Sequence, residues 1–273
     1  MSSKTKKLFS EISGLDTEQR NLASTNIDTK SIKEILEIIN TEDKKVALAV
    51  EAEIPYIVRA VEFVVNAIRS GGRLLYFGAG TSGRLGILDA VECPPTFGTD
   101  SQIIKGYIAG GEPAVFKAQE GAEDSEEAGS TDVINSKISF KDVVCGIAAS
   151  KRTPYVIGAV KKAKALGART IFITTNSRKN FDLPEVDVAI CPFVGPEVIM
   201  GSTRMKSGTA QKLVLNMLTT TAMIRLGKVY ENMMIDLQLT NKKLVERAKR
   251  IIMIATGVDY DQADKILTDS GEV

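Results

Sequence analysis

The sequence predicts an α/β fold: a three-layer parallel sheet flanked by helices, with a helical N-terminal arm and a helical C-terminal region. Between about residues 73 and 190, short β-rich runs alternate with helical patterns, the mark of a parallel sheet covered on both faces. The first run, Leu74-Leu75-Tyr76-Phe77, stops abruptly at Gly78-Ala79-Gly80-Thr81-Ser82-Gly83-Arg84, and a helical pattern begins at once with Leu85-Gly86-Ile87-Leu88. The last third carries almost no β-rich run. Crossovers in such a sheet are right-handed, and ligands bind at the carboxyl ends of its strands.

Taken in order, Thr17–Asn21 and Ser24–Asp28 read as loop and cap chemistry. Ser31 to Ile39 reads as a short helix with Ile32, Ile35, Leu36 and Ile39 on one face. Thr41 is a plausible N-cap for a long helical pattern reaching Ser70, kinked or split at Pro55 and closed by Gly71-Gly72. Strand Arg73–Phe77 follows, then a helix from Ser82 to Val91 that Cys93-Pro94-Pro95-Thr96-Phe97-Gly98 stops. Ile103–Ala109 is the second strand, closed by Gly110-Gly111, and Glu112–Glu127 is an acidic helix or helix pair. Asp142–Ala148 is the third strand and Pro154–Leu166 a helix capped by Gly167. Thr170–Thr175 and Val186–Ile190 are further strands. Pro192–Met200 is a loop, Thr203–Gly227 a long helix, Lys228–Leu237 a short extension, Asn241–Thr256 another helix, and Asp259–Leu267 a final amphipathic turn or two.

Composition narrows the chemistry. The net charge of +1 gives no reason to expect nucleic acid or an anionic membrane. Cys93, Cys145 and Cys191 are widely spaced and odd in number, which suits a reducing compartment and no disulfide framework. Met1-Ser2-Ser3-Lys4-Thr5-Lys6-Lys7 is not followed by a signal-type apolar core, and no apolar run is long enough to span a bilayer, so a cytoplasmic location is expected. There is no histidine. Ser-His-Asp and Cys-His catalysis and His-ligated metals are excluded, and acid–base work falls to Asp, Glu, Lys, Tyr or Cys.

The turn Gly78–Gly83 is a strand-to-helix junction whose unpaired N–H groups and hydroxyls suit an anion. It lacks the Gly-Lys-Ser/Thr ending of a Walker loop. Gly78, Gly80 and Gly83 fit Gly-x-Gly-x-x-Gly, but no acidic residue ends a β-rich run about 20 residues on, as a dinucleotide site expects. A small-molecule phosphate, a dinucleotide and a purely structural turn all remain open on these residues. Ser150-Lys151-Arg152-Thr153 before Pro154 repeats the design with cations added; a solvated, capped helix start is the alternative. Glu92 stands near the expected end of its helix, where the terminal carbonyls disfavour a negative charge, so it suits a general acid; a surface glutamate is the bland alternative. Glu120, Glu123, Asp124 and Glu127 share one face at helical spacing and would repel. Gly195–Thr209 is dense in hydroxyls, cations and glycines and enters a helix N-terminus; Glu197, Ser202, Thr203 and Lys206 are its candidate substrate contacts. Met217 and Met223 on the following helix read as core or subunit interface.

These motifs, in this order, resemble the N-acetylmuramic acid 6-phosphate etherases of the sugar isomerase (SIS) superfamily. The carriers are Phe77–Gly86, Glu92-Cys93-Pro94-Pro95-Thr96-Phe97-Gly98, Ile108–Gly111, Glu120-Gly121-Ala122-Glu123-Asp124, Gly195–Thr209, Thr17–Asn21 and Gly227–Tyr230. The match covers nearly the whole chain. It implies a flavodoxin-like SIS fold, with an N-terminal arm over residues 1–40, a sugar-phosphate domain over 41–230 and a C-terminal helical region over 231–273. The implied activity is elimination of D-lactate from C3 of the phosphorylated amino sugar, then hydration, in cell-wall amino-sugar recycling, with no metal or redox cofactor. By the resemblance, Glu92 is the proton donor to the leaving lactate and Glu123 the second catalytic glutamate. Thr81, Ser82, Ser150 and Thr153, supported by Arg152, are the implied phosphate contacts. A homodimer is implied, with the site open to completion by the partner.

The chain departs from the family pattern at Lys151, where a small residue is usual, and it ends at Val273, short of the family's usual C-terminal helices. The rival readings are a non-catalytic sugar-phosphate sensor of the same superfamily and a sugar-phosphate isomerase.

Overall fold

The computed structural model describes residues 14–236, 239 and 242–270. Met1–Lys7, the helix start expected at Asn241, the end of the Lys228–Leu237 extension and Val273 lie outside them. Helix α1 (Ile32–Glu51) is a single helix. Ser31 starts it with a reciprocal cap: its hydroxyl accepts from the Glu34 N–H at 3.4 Å, and the Glu34 carboxylate accepts from the Ser31 N–H at 2.8 Å. Thr41 therefore lies inside a helix rather than starting one. Asn40 and Thr41 disfavour helix by only a few tenths of a kcal/mol each, about what a capped, packed helix absorbs. Pro55 does split the pattern: it takes the second position of α2 (Ile54–Arg69), where its missing N–H has no helical partner to lose.

Five strands follow: β1 (Leu74–Gly78), β2 (Ile104–Ile108), β3 (Val143–Ile147), β4 (Arg169–Ile173) and β5 (Val188–Ile190). They form one parallel sheet in the order β2-β1-β3-β4-β5. This is the flavodoxin-like order. Gly78 pairs with both Ile108 and Ile147, and Ile173 with Ile147 and Ile190, so all the carboxyl ends stop level. Alternate strand residues feed two cores. Leu74, Tyr76, Cys145, Ile171 and Ile190 pack with α1, α2, α3 (Gly80–Phe97) and a later helix, α7 (Lys206–Arg225). Leu75, Phe77, Val144 and Phe172 pack with α5 (Glu126–Asn135) and α6 (Pro154–Ala165). The expected three layers are present.

Three local expectations are corrected. Helix α3 runs through Pro94 and Pro95 to Phe97. Proline's fixed φ is helical, but each ring removes an N–H donor and crowds the carbonyl four residues back; buried Phe97 and left-handed Gly98, whose N–H donates to Pro94 O at 2.9 Å, hold the last turn despite that cost. The acidic segment, expected as a helix or helix pair, is neither one helix nor two abutting ones. It breaks into α4 (Pro113–Phe116), a 3₁₀ turn at Ala122–Asp124 and then α5, with Gly121 at φ +75° between them, so its carboxylates share no common face. The extension after α7 contains a small antiparallel hairpin, β6 (Val229–Tyr230) and β7 (Met233–Met234). Helices α8 (Lys242–Thr256) and α9 (Tyr260–Asp269) complete the described chain.

The segment ahead of α1 straps across the carboxyl ends of the sheet. The Asp16 N–H donates to Asn176 Oδ1 at 3.0 Å, and the Ser177 N–H donates to Asp16 Oδ2 at 3.1 Å. Asn21 Nδ2 donates to Pro196 O at 3.1 Å, and the Ser24 hydroxyl to Val198 O at 2.8 Å. No helix among the described residues is long and apolar enough to cross a membrane.

Candidate active site

Two helices begin side by side at the carboxyl edge of the sheet. The turn into α3 is tight because a Cβ on Gly78 would lie 2.6 Å from the Gly83 N, and one on Gly83 would lie 2.6 Å from Ile108 Cγ1. Only glycine lets strand and helix approach so closely. Thr81 is half-buried, and its Cγ2 lies 3.4 Å from where a Cβ on Gly208 of α7 would stand. The buried Ser82 hydroxyl donates to Gln211 Oε1 on α7 at 2.9 Å. Further along, Asp89 of α3 meets Asn216 and Thr219 of α7. The two helices thus run parallel, with both N-termini at one end of the sheet, and their partial positive charges converge there.

The residues entering α7 divide into two kinds. Glu197 is wholly buried and accepts from the Lys206 and Ser207 N–H groups at 3.1 and 2.9 Å, capping α7 with a carboxylate. Lys206 is also buried, its Nζ 2.5 Å from Glu42 Oε2. Ser202 and Thr203 stay half-buried in the loop above. The other hydroxyl-rich loop leaves β3. The Arg152 N–H lies 3.4 Å from Ser150 Oγ, and Thr153 opens α6 without its hydroxyl taking a capping bond. Lys151 adopts φ +58°, the left-handed conformation for which glycine is the usual residue, and its ammonium pairs with Asp182 at 2.9 Å. The backbone at this position thus favours glycine over lysine.

Beside the start of α3 lies a cleft of ≈ 170 Å³ walled by Gly80, Arg84, Ala109, Glu120 and Glu123 among others. Arg84 fixes its roof by donating to the Val115 and Ala114 carbonyls, each at 2.8 Å. Partial enclosure raises the pKa of Glu123, and the neighbouring Asp124 and Glu120 carboxylates add to the rise. Glu92 is not in this cleft. It is exposed on the outer face of α3 beside the exposed Leu88 and Val91. A full turn, Cys93 to Thr96, separates it from Phe97, so it does not stand at the helix terminus where the sequence places it. From Ser82 to Glu92 the helix rises roughly 15 Å. The structure therefore gathers Thr81, Ser82, Glu123 and the two N-terminal loops at one edge, with Glu92 well down the helix. Sequence reasoning passed over Gln211, Glu42 and Asp89. Apart from the Glu42 pair with Lys45 one turn on, their side-chain partners are distant in sequence, and the local hint is a polar residue at a core position of an otherwise apolar helical pattern.

Sheet order, level carboxyl ends and paired hydroxyl-rich loops define an SIS-type α/β protein. Residues 56–164 match the model of the glucokinase regulatory protein N-terminal SIS domain. Phosphoheptose isomerases from Neisseria gonorrhoeae and Francisella tularensis share the fold, each at TM-score 0.51; they are 17% and 16% identical, and the matches cover 70% and 71% of this chain and 98% of each of theirs. The N-acetylmuramic acid 6-phosphate etherase of Salinibacter ruber is 62% identical over 96% of this chain and 84% of its own length. That of Clostridioides difficile is 55% identical over 96% of this chain and 86% of its own. The chain belongs to the N-acetylmuramic acid 6-phosphate etherase family.

Proposed function

We propose that the chain is a carbon–oxygen lyase that converts N-acetylmuramic acid 6-phosphate and water to N-acetylglucosamine 6-phosphate and D-lactate, in cytoplasmic recycling of cell-wall amino sugars. The carrying observation is the arrangement of α3, which presents a hydroxyl-bearing anion turn at its start and an exposed glutamate, Glu92, down its length. Family membership supports the substrate.

The chemistry needs only carboxylates. In the open-chain aldehyde the C2–H is acidic. A base removes that proton, the C3–O bond breaks toward the ether oxygen, and Glu92 gives that oxygen a proton. D-lactate leaves a C2=C3 enal, to which water adds hydroxyl at C3 and a proton at C2. Glu123 serves the C2 deprotonation or the water addition; its raised pKa brings its two protonation states closer to neutral pH. Thr81, Ser150 and Thr153, with Arg152, hold the 6-phosphate at the helix starts, and Ser82 joins them through its backbone N–H, its hydroxyl being given to Gln211. Ser202 and Thr203 face the sugar, while Lys206 and Glu197 shape the loop from beneath.

The active form in this reading is a homodimer with sites completed across the interface. Six covalent bonds separate the phosphorus from O3, an extended reach of about 7–8 Å. That is short of the helix length between Ser82 and Glu92, so Glu92 serves the sugar held by the partner subunit. The exposed Leu88 and Val91 beside it, and a groove of ≈ 610 Å³ lined by Ile54, Val58 and Met217, offer apolar surface for the second copy.

Assay of D-lactate released from N-acetylmuramic acid 6-phosphate tests the reading. Release by the wild type, abolished in Glu92→Gln with phosphate-dependent binding kept, is the expected result. Tight sugar-phosphate binding without lactate would leave the sensor reading, and aldose–ketose interconversion without lactate the isomerase reading.

A further inference from the structure

We infer that Asp89 is a positioning residue that sets the rotation of α3 and so the placement of Glu92. The inference rests on the assignment of Glu92 as proton donor. Asp89 lies one turn ahead of Glu92, on the inner side of the helix, and is only 5% exposed. Its carboxylate joins three elements. Tyr76 of β1 donates its hydroxyl to Oδ2 at 2.9 Å. From α7, Asn216 Nδ2 donates to Oδ1 at 2.9 Å and the Thr219 hydroxyl at 3.1 Å. It has no ion-pair partner among the described residues, and Lys212 acts on it only through space.

A buried acid without a paired cation is costly to keep. Burial raises its pKa, and the Asn216, Tyr76 and Thr219 donors oppose that rise. An apolar residue would fill the same volume at less cost. What an ionised carboxylate adds is that it only accepts, so it satisfies all three donors at once. An amide would turn its own N–H₂ toward at least one of them. The directional requirement is therefore for this acid, at this position, between α3, β1 and α7.

The consequence is leverage. Ser82 to Gln211 ties the start of α3 to α7, and Asp89 ties its middle. Two anchors prevent both tilt and rotation. A rotation of about 10° at a side-chain radius of about 6 Å would carry the Glu92 carboxyl about 1 Å around the axis. A displacement of that size costs about a hundredfold in rate where a proton must pass along a short line.

The test compares kcat and KM for lactate release in Asp89→Asn, Asn216→Asp and the double swap Asp89→Asn/Asn216→Asp, with the Tm of each. In the swap, the new amide donates to the new carboxylate and still accepts from Tyr76, while Thr219 turns to the Leu215 carbonyl, 3.2 Å away. The expected result is a 10- to 100-fold lower kcat in Asp89→Asn (order of magnitude from), KM little changed, and recovery of kcat in the swap. A folded Asp89→Asn with wild-type kcat overturns the inference, as does a swap that restores Tm without restoring kcat. If Asp89→Asn does not fold, Tyr76→Phe and Thr219→Val each remove one donor at constant volume, and wild-type kcat in both folded variants overturns it equally. A wild type that releases no lactate strikes the proposed function instead, so the two failures are distinct.

Discussion

Glu42 and Lys206 form a buried ion pair, Oε2 to Nζ 2.5 Å, with their side chains 3% and 1% exposed. The pair joins α1 to the first turn of α7. Asn21 adds a donor to the same oxygen at 2.8 Å, and Lys45 bonds to the other. Burial alone would raise the carboxyl's pKa, but Lys206, Lys45 and Asn21 hold it down to about 2. Glu42→Gln leaves an ammonium buried with a poorer partner and is expected to destabilise by about 3 kcal/mol. Because the folded pKa lies below the unfolded value, the stabilisation is complete above about pH 5 and is lost as pH falls toward 2. Denaturant melts of wild type and variant between these limits check both points: the two curves converge at the acid end.

Glu123 shifts in the opposite sense, so an ionised Glu123 requires a higher pH than an ordinary glutamate does. If it acts as a base, the acid limb of the kcat/KM profile lies above the usual glutamate range. Asp124→Asn removes one of the neighbouring charges that push it up, so the limb moves to lower pH. A limb that stays in place assigns the base role elsewhere.

Lys151 at φ +58° marks a position with a backbone preference stronger than any side-chain one. Lys151→Val is expected to cost about 2 kcal/mol, since a β-branched side chain is strained in the left-handed region. Lys151→Gly removes the strain and the Asp182 pair together, and an exposed pair contributes at most about 1 kcal/mol. Its Tm therefore stays within a few degrees of wild type. Paired thermal melts separate the two variants.

Gly83→Ala tests the closeness of strand and helix. Its Cβ would meet Ile108 Cγ1 at 2.6 Å and the Gly78 O at 2.9 Å, so α3 must lift from the sheet. The expected loss is about 2–3 kcal/mol of stability. Because the lifted turn is the proposed phosphate seat, KM rises as well, which a substrate titration on the folded fraction measures.

What the sequence reveals here depends on distance along the chain. Leu74–Phe77 and the glycines after it are a local signal, so strand, turn and helix are legible, and level parallel strands bring the Gly80 and Ser150 loops to one edge. Pro94-Pro95 misleads because the local rule, that proline ends a helix, is overridden by Phe97 in the core and Gly98 at the cap. The acidic run misleads in the other direction, its helical spacing broken by Gly121. Lys206 reads as a substrate contact because its loop is rich in hydroxyls and cations. Its burial against Glu42 is invisible, since nothing local marks a partner 164 residues away.

That separation also orders events as the chain is made. The strap and α1 leave the ribosome ahead of the sheet, yet Asp16 waits for Ser177, 161 positions on, and Glu42 for Lys206. At about 5–20 residues per second the wait is roughly 10–30 s. Throughout it, Glu42 has Lys45 and Asn21 within reach but not its buried partner Lys206. Only when the start of α7 emerges does the Glu42–Lys206 pair close, so a nascent chain halted before Lys206 carries every strand of the large sheet and the strap's partners Asn176, Ser177, Pro196 and Val198, but not the buried ion pair.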